Sequence, residues 1–164
     1  MSANADSIID GVIKTITVAC TPAEAFKYFT ADMDKWWPLA THSCIAFASE
    51  HKKQPESCTF EQHQGGRIVE LGRAGEEHVW GTVLAWEPPA RVAFTWHPGH
   101  DPAEAQTVEV TFSEIADGTE VVLTHSGFEK LGEMGAKARE GYNMGWEGVF
   151  VTAFANYARS VQEN

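Results

Sequence analysis

Near its C-terminus the chain changes period. From Tyr142 to Val161, the residues Trp146, Val149, Phe150, Ala153, Phe154, Tyr157 and Val161 recur at spacings of three and four, an apolar stripe about five helical turns long. No segment upstream carries a stripe of that length. What precedes it alternates with a period of two: Val92, Phe94 and Trp96, then Val108, Val110 and Phe112, then Val121, Leu123 and His125. An antiparallel sheet with one apolar face has to cover it, and this helix is the only element long enough to do so.

The remaining elements follow from local chemistry. Val12 to Val18 is β-branched almost throughout and reads as a first strand. Thr21-Pro22-Ala23-Glu24 then supplies a capping hydroxyl, a proline in the first turn and a glutamate three residues after the cap, so a helix starts there. Ala25, Phe26 and Phe29 form its inner side. A second short helix begins at Asp32 and carries Met33, Trp36 and Trp37 before Pro38 ends it. Ser43 to Ala48 and Ser57 to Gln62 read as strands, Gly65-Gly66 leads into Arg67 to Leu71, and Gly72 to Glu76 reads as a hairpin loop. Pro88-Pro89 breaks the pairing between the Trp80 run and Arg91 to Trp96, and Asp117-Gly118 is a second hairpin signal. Ser126 to Gly141 is read as glycine-rich and polar connection. Nothing repeats and no linker divides the chain, so residues 1–164 read as one α+β domain.

Composition narrows the function classes. The 164 residues can bury a core without disulfides or metals. A net charge of −11, with no basic block, opposes approach to a phosphate backbone, so no nucleic-acid partner is expected. Cys20, Cys44 and Cys58 are odd in number and lack CxxC spacing, which points to free, buried thiols in a reducing compartment. Met1 to Gly11 lacks the basic start and apolar run of a signal peptide, and no run approaches membrane-spanning length. A cytoplasmic protein without a membrane partner is expected, as a monomer or homodimer.

The order of elements and several short segments carry a resemblance. Gly65-Gly66-Arg67, Trp80-Gly81-Thr82-Val83, Trp86-Glu87-Pro88-Pro89, Phe94-Thr95-Trp96, Asp117-Gly118-Thr119 and Gly145-Trp146 resemble the subgroup of the START-like (SRPBCC) superfamily named for the Hsp90 ATPase activator homologues. The likeness runs from Ile13 to about Tyr157. It implies a helix-grip fold: a curved antiparallel sheet of six to seven strands around a long C-terminal helix, with two short helices after the first strand. It also implies a hydrophobic cavity between sheet and helix, used across the superfamily for lipids, polyketides and other apolar ligands. One fold hosts many chemistries, so no single reaction is implied.

The residues suggest where such a ligand would sit. Trp80, Trp86, Trp96 and Trp146 either fill the core or form flat walls around an apolar molecule. Gly81 within a strand allows a bulge, which leaves the facing of Trp80 open. Ile68 and Glu70 share a strand face, as do Leu123 and His125; if both faces are concave, a carboxylate and an imidazole enter an apolar space, where a Glu70–His125 hydrogen bond is the natural solution. That pair would anchor a ligand head group, act as general acid and base, or serve only the core. Ligand contacts are therefore expected from Glu70, Trp80, Trp96, His125, Trp146 and Phe150. The main expectation is binding of an apolar or aromatic small molecule. A cyclase- or hydrolase-like enzyme using Glu70 and His125 is the alternative, and an Hsp90-type co-chaperone, suggested only by the subgroup's name, is a third. His97-Pro98-Gly99-His100-Asp101 gathers two imidazoles and a carboxylate, but on a loop and not on a helix face, and a dispersed ligand from elsewhere in the chain would be needed, so no metal and no cofactor are expected. Gly141, Gly145 and Gly148 are read as close helix–sheet packing or fraying, with a hinge at a cavity mouth as the functional alternative.

Overall fold

A computed structural model describes residues 9–163. Seven strands form one antiparallel sheet in the spatial order β1-β7-β6-β5-β4-β3-β2. They are β1 (Val12–Val18), β2 (Ser57–Phe60), β3 (Arg67–Leu71), β4 (Glu77–Glu87), β5 (Arg91–Trp96), β6 (Gln106–Ile115) and β7 (Gly118–Ser126). Helices α1 (Pro22–Phe29), α2 (Met33–Trp36) and α3 (Cys44–Ala48) follow β1. After β7 the chain forms a 3₁₀ stretch (Phe128–Met134). It then runs as one helix through α4 (Gly135–Trp146), a π-helical segment (Glu147–Phe154) and α5 (Ala155–Glu163).

The concave face carries the alternation visible in the sequence. Val92, Phe94, Trp96, Val108, Val110, Phe112, Val121, Leu123 and His125 are all buried there, as are Ile68 and Glu70. Trp146, Phe150 and Phe154 of the long helix fill it from the other side. Phe29 of α1 sits among them, with ring centroids 5.3 Å from Phe154 and 6.4 Å from Phe94. The capping box at Thr21 is formed in both directions: Glu24 N–H donates to Thr21 Oγ1 at 3.1 Å, and Thr21 N–H to Glu24 Oε1 at 3.0 Å.

Three local expectations are corrected. Ser43 to Ala48 is not a strand; Ser43 Oγ accepts from Ala46 N–H at 3.1 Å and caps α3. The side-chain cap outweighs the β-type composition of Cys44-Ile45. Ser126 to Gly141 is not open connection either, since the 3₁₀ stretch and the start of α4 occupy it, with Phe128 fully buried. Within the long helix, Ala155 N–H reaches back to Phe150 O, a π-type bond in place of a regular α-helical period.

β4 contains the bulge that Gly81 allowed. Ile68 opposes Gly81 and Val69 opposes Val79, so Trp80 is the extra residue. It therefore turns inward beside His78, which lies opposite Glu70 in the register. Gly81 is required by the neighbouring strand, because a Cβ there would lie 1.7 Å from Thr95 O.

Candidate functional site

A cavity of about 880 Å³ opens between α3, the start of β4, the end of β5, the loop at Pro98–His100 and α4. Its inner wall is tryptophan. Trp37, Trp80, Trp96 and Trp146 all line it, and the Trp37 ring lies 5.0, 5.7 and 6.0 Å from those of Trp80, Trp96 and Trp146. These rings do both things the sequence left open: they pack on one another as core and present surface to the space. Trp86 goes elsewhere, meeting Phe26 at 4.9 Å and Phe60 at 6.1 Å. Phe47, exposed on α3, and Tyr142 of α4 extend the aromatic lining.

Of the six residues expected at a ligand, Trp80, Trp96 and Trp146 line this cavity, whereas Glu70, His125 and Phe150 lie behind its wall. The direct Glu70–His125 hydrogen bond does not form, because each residue is satisfied by other partners. Glu70 is fully buried and accepts three hydrogen bonds: Oε1 from Cys44 N–H at 2.7 Å and from the Trp80 indole at 2.8 Å, Oε2 from Ile45 N–H at 2.8 Å. It thereby ties the first turn of α3 to the tryptophan wall.

His125 performs the same task on the other side. The Trp146 indole donates to His125 Nδ1 at 3.0 Å. An indole N–H can only donate, so Nδ1 is the bare nitrogen, and Nε2 carries the proton and gives it to Gln106 Oε1 at 3.1 Å. The Gln106 amide nitrogen in turn donates to the Glu104 carbonyl. Burial lowers the His125 pKa to about 3, so the ring is held neutral. Its faces are covered by Phe128 at 4.5 Å and Tyr142 at 4.6 Å.

The polar groups that do face the cavity were not singled out from the sequence as ligand contacts. His42, His78 and His100 contribute imidazoles, Cys44 a thiol and Tyr142 a phenol. Burial, then the neighbouring Glu70 carboxylate, pushes the Cys44 thiol up to about 11, so it is a protonated thiol and not a thiolate. Burial, then His51, lowers His42; burial, then Cys44, raises Tyr142. Cys20 and Cys58 are buried free thiols away from the cavity. His97 Nδ1 lies 3.2 Å from the His100 carbonyl, and no group of three or more His, Cys, Asp or Glu among the described residues is placed to hold a metal.

Close packing does not explain the glycines of the long helix: a Cβ at Gly141, Gly145 or Gly148 would meet nothing within 4 Å. Gly141 and Gly145, one helical turn apart, line the cavity together with Ala138, and their missing side chains leave part of its volume open.

Residues 19–159 match the family described as activator of Hsp90 ATPase homolog 1-like protein. The chain belongs to that family. Comparison with curated proteins gives no match. Among solved structures, the anthrahydroquino-gamma-pyrone synthase Txn09, complexed with SUM, shares 31% identity at a TM-score of 0.60, over 91% of this chain and 97% of that one. An AHSA1-like protein from Aeromonas hydrophila shares 16% identity at a TM-score of 0.64, over 94% and 95%. A protein from Rhodobacter sphaeroides shares 19% identity at a TM-score of 0.64, over 94% and 92%. The latter two establish likeness of fold. Among the described residues, no helix of this family member is long and apolar enough to cross a membrane.

Proposed function

We propose that the protein binds a flat aromatic molecule of polyketide type in the cavity between α3 and α4. The observation that carries this reading is the wall itself: four tryptophans in mutual contact beside a space of about 880 Å³, with no Asp, Glu, Lys or Arg in the lining. That size falls within the range of small-molecule sites, and an apolar lining with a few polar groups is their usual composition. The indole N–H groups of Trp37, Trp80 and Trp146 are already engaged by His42 O, Glu70 and His125, so these rings offer a ligand π-surface and not hydrogen bonds. Ligand oxygens would meet His42, His78, His100, Cys44 and Tyr142 instead.

In this reading Glu70 and His125 hold the wall and do not touch the ligand. An enzymatic role draws support from the 31%-identical relative, whose name is that of a synthase. Any proton transfer would then fall to the cavity-facing imidazoles or to Tyr142, since the polar atoms of Glu70 and His125 are spent on internal bonds. A co-chaperone role has only the family's description behind it.

Titration of intrinsic tryptophan fluorescence with anthraquinones, flavonoids and fatty acids tests the proposal. Saturable quenching by the fused-ring compounds, lost when Gly145→Leu fills the cavity, is the expected result. Silence across the whole panel overturns it.

A further inference from the structure

The tryptophan chamber does not end at α4. A second cavity of about 370 Å³ adjoins it, and His100, Ala138 and Tyr142 belong to both linings. The two spaces differ in chemistry. The larger holds no Lys, Arg, Asp or Glu, whereas the annex contains Lys137 and Glu104 beside the apolar side chains of Leu131 and Met134.

The annex polar groups are mostly committed. Glu104 Oε1 lies 3.9 Å from His100 Nδ1. Gln106 uses its amide oxygen for His125 and its amide nitrogen for the Glu104 carbonyl. Lys137 differs: among the described residues no carboxylate pairs with its ammonium. Met134, meanwhile, is 58% exposed, an apolar side chain lying open on the annex wall.

We propose that the ligand is an aromatic acid: a ring system in the tryptophan chamber, joined to a short apolar arm that ends in a carboxylate. This rests on the aromatic-binding reading above and assigns the other end of the same molecule. The arm passes Tyr142 and Ala138, covers Leu131 and Met134, and brings its carboxylate to the Lys137 ammonium. A carboxylate suits the annex better than a phosphate. Phosphate sites gather several donors, from Arg forks or successive backbone amides, whereas Lys137 is the single ammonium of the annex, and the one carboxylate of its wall, Glu104, lies within 3.9 Å of His100.

The test compares 4-(2-naphthyl)butanoate with its primary amide by calorimetric titration, with 2-methylnaphthalene as the armless probe. Because Lys137 is exposed, the acid should bind about threefold tighter than the amide at low ionic strength, the scale of an exposed ion pair, and the gap should close as salt is added. In Lys137→Met the ratio of the two affinities should fall to about one, while Lys137→Arg should keep it. Lys130→Met, an exposed lysine outside both linings, controls for net charge. Equal binding of acid and amide by the parent protein, or a preference that survives Lys137→Met, overturns the annex assignment while the armless probe still binds. If no naphthalene binds at all, the aromatic reading fails first and the annex assignment fails with it.

Discussion

The Trp80 indole donates to the Glu70 carboxylate at 2.8 Å, and the same oxygen accepts the backbone N–H of Cys44 at 2.7 Å. One buried carboxylate thus joins a bulged sheet strand to a five-residue helix that alone would be too short to persist. His125 repeats the device between Trp146 and Gln106. Two polar side chains on the concave face therefore fix the orientation of two of the four tryptophans that wall the cavity.

Replacing Glu70 by Gln should destabilise the fold by about 1–3 kcal/mol, because all three partners are donors and the amide nitrogen would face one of them without an acceptor. Urea denaturation reads the stability, and near-UV circular dichroism should show a changed tryptophan environment. A variant with the parent's midpoint and an unaltered spectrum would contradict the role assigned to this carboxylate.

The pH dependence has a definite sign. His125 titrates near 6.5 in an unfolded chain and is lowered by burial to about 3 in the folded one. Between those values the unfolded state binds the extra proton, so the stability from the neutral ring is complete above about pH 6.5 and is lost progressively down to about pH 3. Between pH 6.5 and 5, where carboxylates contribute little, the parent should lose stability faster than His125→Gln, which cannot titrate. Parallel stability curves for the two proteins in that interval would rule this out.

The broad architecture was legible because parity and period are properties of sequence. Val92, Phe94 and Trp96 had to share a face, and the stripe from Trp146 to Phe154 had to meet it. The site was legible only in part. Trp80, Trp96 and Trp146 announced an aromatic wall, but α3 was missed: Cys44-Ile45-Ala46-Phe47-Ala48 suits a strand as well as a helix turn, and the available signal was Ser43 as a cap. Missing α3 concealed the true partners of Glu70, whose donors are backbone amides that exist in that arrangement only once the helix forms. His42, His78 and His100 come from three separated segments, and no spacing rule joins them.

Phe154→Ala should cost about 3–5 kcal/mol. The ring is fully buried between Phe29, Trp36 and Phe150, with centroids at 5.3, 5.1 and 5.7 Å, so truncation leaves a void that rigid aromatic neighbours cannot close. Trp146→Ala should fall in the same range and additionally leave His125 Nδ1 without its donor. Denaturation midpoints equal to the parent's in both variants would contradict this packing.

Filling the cavity separates stability from binding most cleanly. A side chain at Gly145 meets open space, and leucine is a better helix former than glycine by close to 1 kcal/mol. Gly145→Leu should therefore fold with equal or slightly greater stability, while placing an isobutyl group in the space beside Trp146 and Tyr142. Binding of a fused-ring ligand should weaken at least tenfold, whereas Gly148→Leu, on the same helix but outside the lining, should bind as the parent does. If Gly145→Leu binds as tightly as the parent while Gly148→Leu does not, the ligand occupies another face of the helix and the tryptophan wall is core alone.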